Sequence, residues 1–475
     1  MKKWYSIALI VLSLIIGHFN HFSLSPRGVH VWRQCNTLAV AQNFHEEDLD
    51  FRYPRVDHRK ESSGVTGMSF PLTEQLIAFS YKIFGVHHIN HRLVQFFIFI
   101  IGLIGMHLLL IRLFSSRLVA GIACFFYAWT PEMYYHSINA IPDVAAMSAI
   151  IFAFYFYFGK RPLDLVWCLI LLALAGLVKF QYLLFGPVFF VHTLAQKQFN
   201  KSIGIAYLGL FAGGVVSLWY IHAAKMRNMN HLYDFGLFVN STGSKGEALR
   251  LLKANLVMDL PEQLLGYGAF ILALVGAFVY IKEFNKVKIW TILTIIVCFG
   301  FYHVKELKQM EYHAYYMMPY ILLGILLVAY LLKKIEGKKY IWWLLVPLAL
   351  LQIVHAVNKI NSRYLDSNSN LPEEFLSQDQ LTEMQQFVQG GKLAVVGPDQ
   401  SGCIYFYYLG VKGWNAASIN QLKDKEEIAS AIMNGKADVL IINKMNKVDK
   451  SYYSKLYGQE LEVGNFSLFK ERLLH

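Results

Sequence analysis

Cysteine is scarce in this chain, with five among 475 residues at positions 35, 124, 168, 298 and 403. Scattered in that way they form neither a disulfide framework nor a metal-ligand spacing, and all five are read as packing residues. The segment Gly397-Pro398-Asp399 lacks the glycine spacing of a dinucleotide loop and reads as an ordinary strand-to-helix turn. The cluster His87-His88-Ile89-Asn90-His91 lacks a matched acidic partner, which argues against zinc there. No small-x-small cleavage site follows the first apolar run before His18-Phe19-Asn20-His21, so that run is read as a retained anchor. Also missing is any clear internal repeat of the kind many transporters carry.

Long stretches with almost no charge are what the chain has instead. Hydrophobic residues make up 55% of it and aromatics 15%, and the mean hydropathy is +0.37, too apolar for a soluble chain of this length. Runs of spanning length place about eleven helices near residues 4–22, 91–113, 117–135, 142–159, 164–179, 181–197, 203–221, 263–282, 287–304, 313–332 and 340–357. Short connections carrying Arg112 and Arg117, Lys160 and Arg161, Lys197 and Lys201, Lys282, Lys286 and Lys288, and Lys333, Lys334, Lys338 and Lys339 share a side with Lys2 and Lys3. By the positive-inside rule that side is cytoplasmic.

The opposite side receives two long loops, residues 23–90 and 222–262, two short ones, and the C-terminal region. The long loops are themselves basic, with Arg27, Arg33, Arg52, Arg55, Arg59, Lys60 and Arg92 in the first and Lys225, Arg227, Lys245, Arg250 and Lys253 in the second. Interfacial anchoring accounts for any one of these charges; as a set they suit an anionic partner at the outer membrane surface. Membrane lipids are thus expected partners, and nucleic acid is not.

Residues 1–357 form the membrane domain, 358–370 a polar linker, and 371–475 an extracytoplasmic α/β domain. In the latter, residues 392–397 and 437–443 read as buried parallel strands, with a helix over 421–434 between them. In the first loop, residues 31–44 have apolar positions at helical spacing and are expected to lie in the interface with Trp32 at headgroup level. A second interfacial helix is expected to begin at Phe70-Pro71-Leu72. The fold class is therefore an α-helical polytopic membrane protein with outer interfacial helices and a small C-terminal α/β domain.

Four segments carry a resemblance: His30-Val31-Trp32-Arg33-Gln34 with Tyr53-Pro54-Arg55-Val56-Asp57; Ile141-Pro142-Asp143; Gly176-Leu177-Val178-Lys179; and His313-Ala314-Tyr315-Tyr316-Met317-Met318-Pro319. In order and placement the chain resembles the glycosyltransferase C superfamily, specifically bacterial relatives of the protein mannosyltransferases and the lipid A aminoarabinose transferase (glycosyltransferase families 39 and 83). The resemblance implies transfer of a sugar from a polyprenyl-phosphate or polyprenyl-diphosphate donor to an acceptor outside the cytoplasm. Such a reaction needs a carboxylate to deprotonate or orient the acceptor hydroxyl and cations to stabilise the departing phosphate. The Asp-Glu pair that family members carry after the first span is replaced here by Arg33-Gln34.

Asp57, Asp143 and His30 are the candidates to take over. Asp57, between Arg55 and His58, is expected to stay ionised, with pairing to a neighbouring arginine as the plain alternative. Asp143 sits behind Pro142, where it caps a helix or serves the reaction. Lys179 must snorkel or pair, and the resemblance points it at the donor phosphate. His313, Tyr315 and Tyr316 form a further phosphate or sugar contact, or an aromatic belt, and one of Arg33, Arg55 and Arg92 is expected to meet the phosphate. No cofactor is expected and no metal site is assigned, although the outer histidines leave room for a divalent ion. Non-catalytic binding of a lipid-linked glycan, or its transport, remains the competing reading.

Overall fold

A computed structural model describes residues 4–59, 62–230, 244–283, 285–338, 340–364, 377–389, 391, 394–396, 401–415, 437–443, 454–455 and 458–471. The helices are α1 (Tyr5–His18), α2 (Val31–Glu46), α3 (Leu72–Phe84), α4 (His88–Phe114), α5 (Arg117–Ala128), α6 (Pro131–His136), α7 (Asp143–Tyr157), α8 (Pro162–Val178), α9 (Phe185–Ala195) and α10 (Phe199–Arg227). They continue with α11 (Lys245–Ala254), α12 (Tyr267–Lys282), α13 (Lys286–Tyr312), α14 (Pro319–Ile335), α15 (Ile341–Tyr364), α16 (Gln378–Val388) and α17 (Ile404–Leu409).

Every expected span has a helix at its place, and four of them, α4, α10, α13 and α15, are long and apolar enough to cross a membrane unaided. The 27 residues of α4 rise about 40 Å, more than the ~30 Å of a hydrocarbon core. Shorter apolar helices pack around them: α7 lies between α4 and α8, and α14 between α5 and α12. Exposed Phe211 and Leu218 on α10, Phe278 on α12, Val297 on α13 and Trp343 on α15 give these helices apolar outer faces. Only a lipid solvent makes such faces favourable. The chain is a multi-pass membrane protein.

Several boundaries differ from those expected, each for a local reason. The span expected over 117–135 ends at Ala128, because Pro131 starts a separate short helix, α6. The division at Lys179 is real, since its extended backbone (φ −147°, ψ 106°) stops α8 before a 3-10 turn at Phe180–Leu184. The expected linker is helical as far as Tyr364, and residues 365–376 lie outside the described residues. α2 is no surface helix. Val31, Cys35, Leu38 and Phe44 are buried, and α2 is packed by α3 and by α17 of the C-terminal region.

The C-terminal strands are β1 (Ala394–Val396), β2 (Gly413–Asn415), β3 (Val439–Asn443), β4 (Gly458–Val463) and β5 (Phe466–Glu471), in the order β2-β1-β3-β5-β4. β1 and β3 are the two strands expected, paired in parallel with Val395 opposite Leu440. The β4–β5 hairpin was not anticipated; it turns at Gly464, whose φ of +54° suits glycine. The expected helix over 421–434 and the turn 397–399 lie outside the described residues. Edge strand β2 is covered by the first loop: His58 bridges Gly413 in parallel, and the Gly413 N–H donates to the Asp57 carbonyl at 3.0 Å. Cys35 and Cys403 share one apolar cluster and are not joined by a disulfide.

Candidate active site at the mouths of the helices

Asp143, the first residue of α7, makes no side-chain capping bond and is wholly buried. Its Oδ2 lies 3.0 Å from Nζ of Lys179, which closes α8. The lysine also sits 5.2 and 5.0 Å from the ring centroids of Tyr315 and Tyr316, which follow α13 in a 3-10 turn (Ala314–Met317). Two further charges close on the pair. Arg33 on α2 and Glu74 in the first turn of α3 are both buried; burial pushes the Glu74 carboxyl up, while Arg33 and Lys179 pull it down less strongly. Oδ1 of Asp143 and Oε2 of Glu74 are buried acceptors without a hydrogen-bond partner, a costly arrangement that functional sites tolerate.

His30 forms the opposite wall. It precedes α2 with φ 61°, a left-handed conformation that non-glycine residues adopt rarely and that functional sites often retain. Gly28, also left-handed, lets the chain pass Arg363, whose carbonyl accepts the Val29 N–H at 3.1 Å. The His30 ring lies 6.0 Å from His136, 5.9 Å from His313 and 4.9 Å from Tyr315. Burial holds His313 down at about 4 from its ordinary 6.5, so it is neutral at physiological pH.

Beside His30, the α6 residues Glu132 and His136 meet one turn apart, with His136 Nε2 3.1 Å from Glu132 Oε1. Arg363, at the end of α15, holds the other oxygen at 2.7 Å. Burial acts to raise the Glu132 carboxyl, and Arg363 with His136 reverses this and holds it well below the usual range. One ligand atom from each of His30, Glu132 and His136 falls within 4.8 Å of the others. Two imidazoles and a carboxylate form a donor set for a first-row divalent ion, and His136 Nδ1 is buried without a hydrogen-bond partner.

Of the residues singled out from the sequence, His30, Arg33, Asp143, Lys179, His313, Tyr315 and Tyr316 therefore converge. Three do not. Asp57 accepts from Asn43 Nδ2 at 2.8 Å, not from Arg55, and burial first, against the Asn43 bond and the Arg59 charge, raises its carboxyl. Arg55 faces Glu47 at 3.5 Å and Asp48 at 3.7 Å. Arg92 spends its guanidinium on the Leu24 and Ser25 carbonyls (2.8 Å each) and Asn139 Oδ1 (2.7 Å). The pairing of residues 57–59 with Gly413 fixes the Asp57 segment against the C-terminal sheet, and Arg92 is a tie between loop and bundle. Sequence reasoning missed Glu74, Glu132 and Arg363. Glu132 had a signal, a carboxylate inside an expected span; Arg363 was hidden in the presumed linker.

The family described as dolichyl-phosphate-mannose-protein mannosyltransferase matches residues 69–222, about a third of the chain, which carry Glu74, Glu132, His136, Asp143 and Lys179. A search of curated proteins finds no match. Among solved structures, ArnT from Cupriavidus metallidurans in the apo state is similar at TM-score 0.67 and 12% identity, over 98% of this chain and 97% of that one. The same protein bound to undecaprenyl phosphate gives 0.68 and 12%, covering 98% of each. The archaeal oligosaccharyltransferase AglB from Archaeoglobus fulgidus, in complex with an inhibitory peptide and a dolichol-phosphate, gives 0.58 and 13%, over 95% of this chain and 71% of its own. Likeness at such identities establishes the fold.

Proposed function

We propose, from the premise that the chain is built on the glycosyltransferase C fold, that it transfers a sugar from a polyprenyl-phosphate or polyprenyl-diphosphate carrier to an acceptor outside the cytoplasm. The observation that carries this reading is the buried Asp143–Lys179 pair, flanked by Arg33 and Glu74, at the mouths of α7 and α8. The solved relatives, one bound to undecaprenyl phosphate and one to dolichol-phosphate, are consistent with such a donor.

In the proposed reaction Asp143 takes the proton of the acceptor hydroxyl as that oxygen bonds the anomeric carbon. The bond from that carbon to the phosphate oxygen breaks, and the electron pair leaves with the lipid phosphate. Lys179 and Arg33 receive the developing negative charge, in a site where water is largely excluded and charge counts for more than in bulk. His313, neutral and packed by Tyr315 and Tyr316, offers ring faces and a nitrogen to the sugar. Asp57 is given the lesser role of holding the loop through Asn43. The site lies in the outer leaflet of the cytoplasmic membrane, with the N-terminus inside and the C-terminal domain outside; the basic connections at the far bundle end support this orientation.

The test is transfer of radiolabelled sugar from a panel of polyprenyl-phosphate sugars in membranes holding wild type, Asp143→Asn, Lys179→Ala or Asp57→Asn. Asp143→Asn is expected to lose about 10²–10⁴-fold, the range of a positioned general base, whereas Asp57→Asn stays within a few-fold. Equal, saturable retention of lipid-linked sugar by all four proteins, without transfer, would instead establish a binding or flipping role. Because Lys179 and Arg33 already supply positive charge, transfer is expected to survive EDTA. Loss of transfer that zinc or manganese restores would move part of that role to His30, Glu132 and His136.

A further inference from the structure

A second, separate groove opens where the C-terminal domain meets the first loop and the start of α4. Its volume is about 770 Å³, within the range of ordinary ligand sites, and none of the residues gathered around Asp143 and Lys179 lines it. One wall is α16 with the residue that caps it, which places Gln378, Thr382, Gln385 and Gln389 along the groove; the Thr382 hydroxyl donates to the Gln378 carbonyl at 2.8 Å and the Gln385 amide to the Tyr408 carbonyl at 2.7 Å, leaving their oxygens to accept. Those positions recur at i, i+4, i+7 and i+11, which makes a single stripe, and Gln386 borders it. The helix's two acidic residues, Asp379 and Glu383, do not line the groove. The opposite wall supplies Ser23, Ser25 and Arg27, and Tyr407 and Tyr408 close one side.

The chemistry of this lining is selective. A solvated helix face is ordinarily built from lysine and glutamate, yet among the described residues no Lys, Asp or Glu lines the groove. Primary amides donate and accept hydrogen bonds in a fixed plane, and the hydroxyls of serine, threonine and tyrosine do both with a rotatable O–H. A ligand with both hydroxyls and apolar ring faces matches this lining of amides, hydroxyls and aliphatic side chains; a phosphate or an acidic polymer would find Arg27 and His88 alone among the described residues.

The floor is rigid, which is the second observation. Arg92 holds the Leu24 and Ser25 carbonyls from beneath, and the Tyr408 hydroxyl donates to the Pro26 carbonyl. The single O–H of Tyr135 is shared between the Val29 carbonyl at 2.9 Å and the Arg27 carbonyl at 3.1 Å. A pinned backbone loses little freedom when a ligand settles on it. The same segment reaches the reaction site: Arg27 lines the groove, and His30, three residues on, stands in the central cluster. Even fully extended, three residues span at most about 11 Å.

We propose that this groove binds a neutral oligosaccharide and presents its end to the central site, so that the acceptor is a glycan chain. The assignment of the ligand as acceptor rests on the transferase reading; the groove's affinity for glycan does not. The experiment uses the purified full-length chain in detergent on an array of immobilised neutral hexose and N-acetylhexosamine oligosaccharides. Wild type and Asp143→Asn are expected to bind the same array members with equal affinity. The double variant Gln386→Ala/Gln389→Ala, at two exposed positions, is expected to weaken binding tenfold or more with an unchanged melting temperature. No binding to any member, binding indifferent to the double variant, or binding only to phosphatidylglycerol nanodiscs would each overturn the groove assignment. Glycan binding by a chain that transfers from no polyprenyl-phosphate sugar would retain the groove and remove the transferase.

Discussion

At the residue scale the site is a set of ionisable groups kept in particular states by their neighbours. His313 shows the consequence for pH. Its folded value of about 4 lies below the ordinary 6.5, so the unfolded chain binds a proton over that interval and the folded chain does not. The contribution to stability is complete above about pH 6.5, is lost as pH falls through the window, and levels off below about 4. His30, lowered by burial first and then by His136, acts in the same direction. Thermal unfolding in detergent is expected to show stability falling from pH 7 to pH 4.5, with a shallower slope in His313→Asn. An unchanged slope in that variant would mean that His313 is protonated in the folded chain. Candidate residues at helix mouths were legible because short motifs carried them. Glu74 and Arg363 were not, because their partners lie far away in the chain.

At the element scale the instructive feature is the break between α11 and α12. After α11 the chain makes a π-helical stretch, Asn255–Leu265, then turns by 120° at Gly266, whose φ of +76° suits glycine. Such a turn exposes backbone groups that lipid cannot satisfy. Gln352 of α15 answers two of them, donating to the Leu265 carbonyl at 2.8 Å and accepting the Ala269 N–H at 2.9 Å, and its amide also donates to the Trp129 carbonyl at the end of α5 at 2.8 Å. Gln352→Leu would leave three buried groups unpaired, at about 1–3 kcal/mol each. The expected outcome is a melting temperature lowered by several degrees or more, measured on purified protein, with transfer reduced because α15 also delivers Arg363. A wild-type melting temperature in Gln352→Leu would refute this account of the bend. Hydropathy places a span over 263–282 and a loop before it, and the periodicity holds no sign of the bend's partner nearly ninety residues away.

At the scale of the whole molecule, polarity of charge and placement of the site agree. The central cluster, the groove and the C-terminal sheet occupy one end of the bundle, while Arg112, Lys201, Lys288 and Lys334 mark the other. In a variant with the five native cysteines replaced by serine, a membrane-impermeant maleimide applied to intact cells is expected to label Glu383→Cys and to spare Lys338→Cys. The reverse pattern would invert the proposed orientation. The sequence by itself determined that this chain belongs in a membrane and where its apolar helices fall, apart from breaks such as the one before Pro131, and it placed the candidate site residues at helix mouths, because hydropathy and charge act locally and leave a mark in every window. Which charges meet was decided only by the tertiary structure. Asp143 and Lys179 are 36 residues apart, Glu132 and Arg363 are 231 apart, and in apolar surroundings an ionised group must find whatever partner packing brings to it.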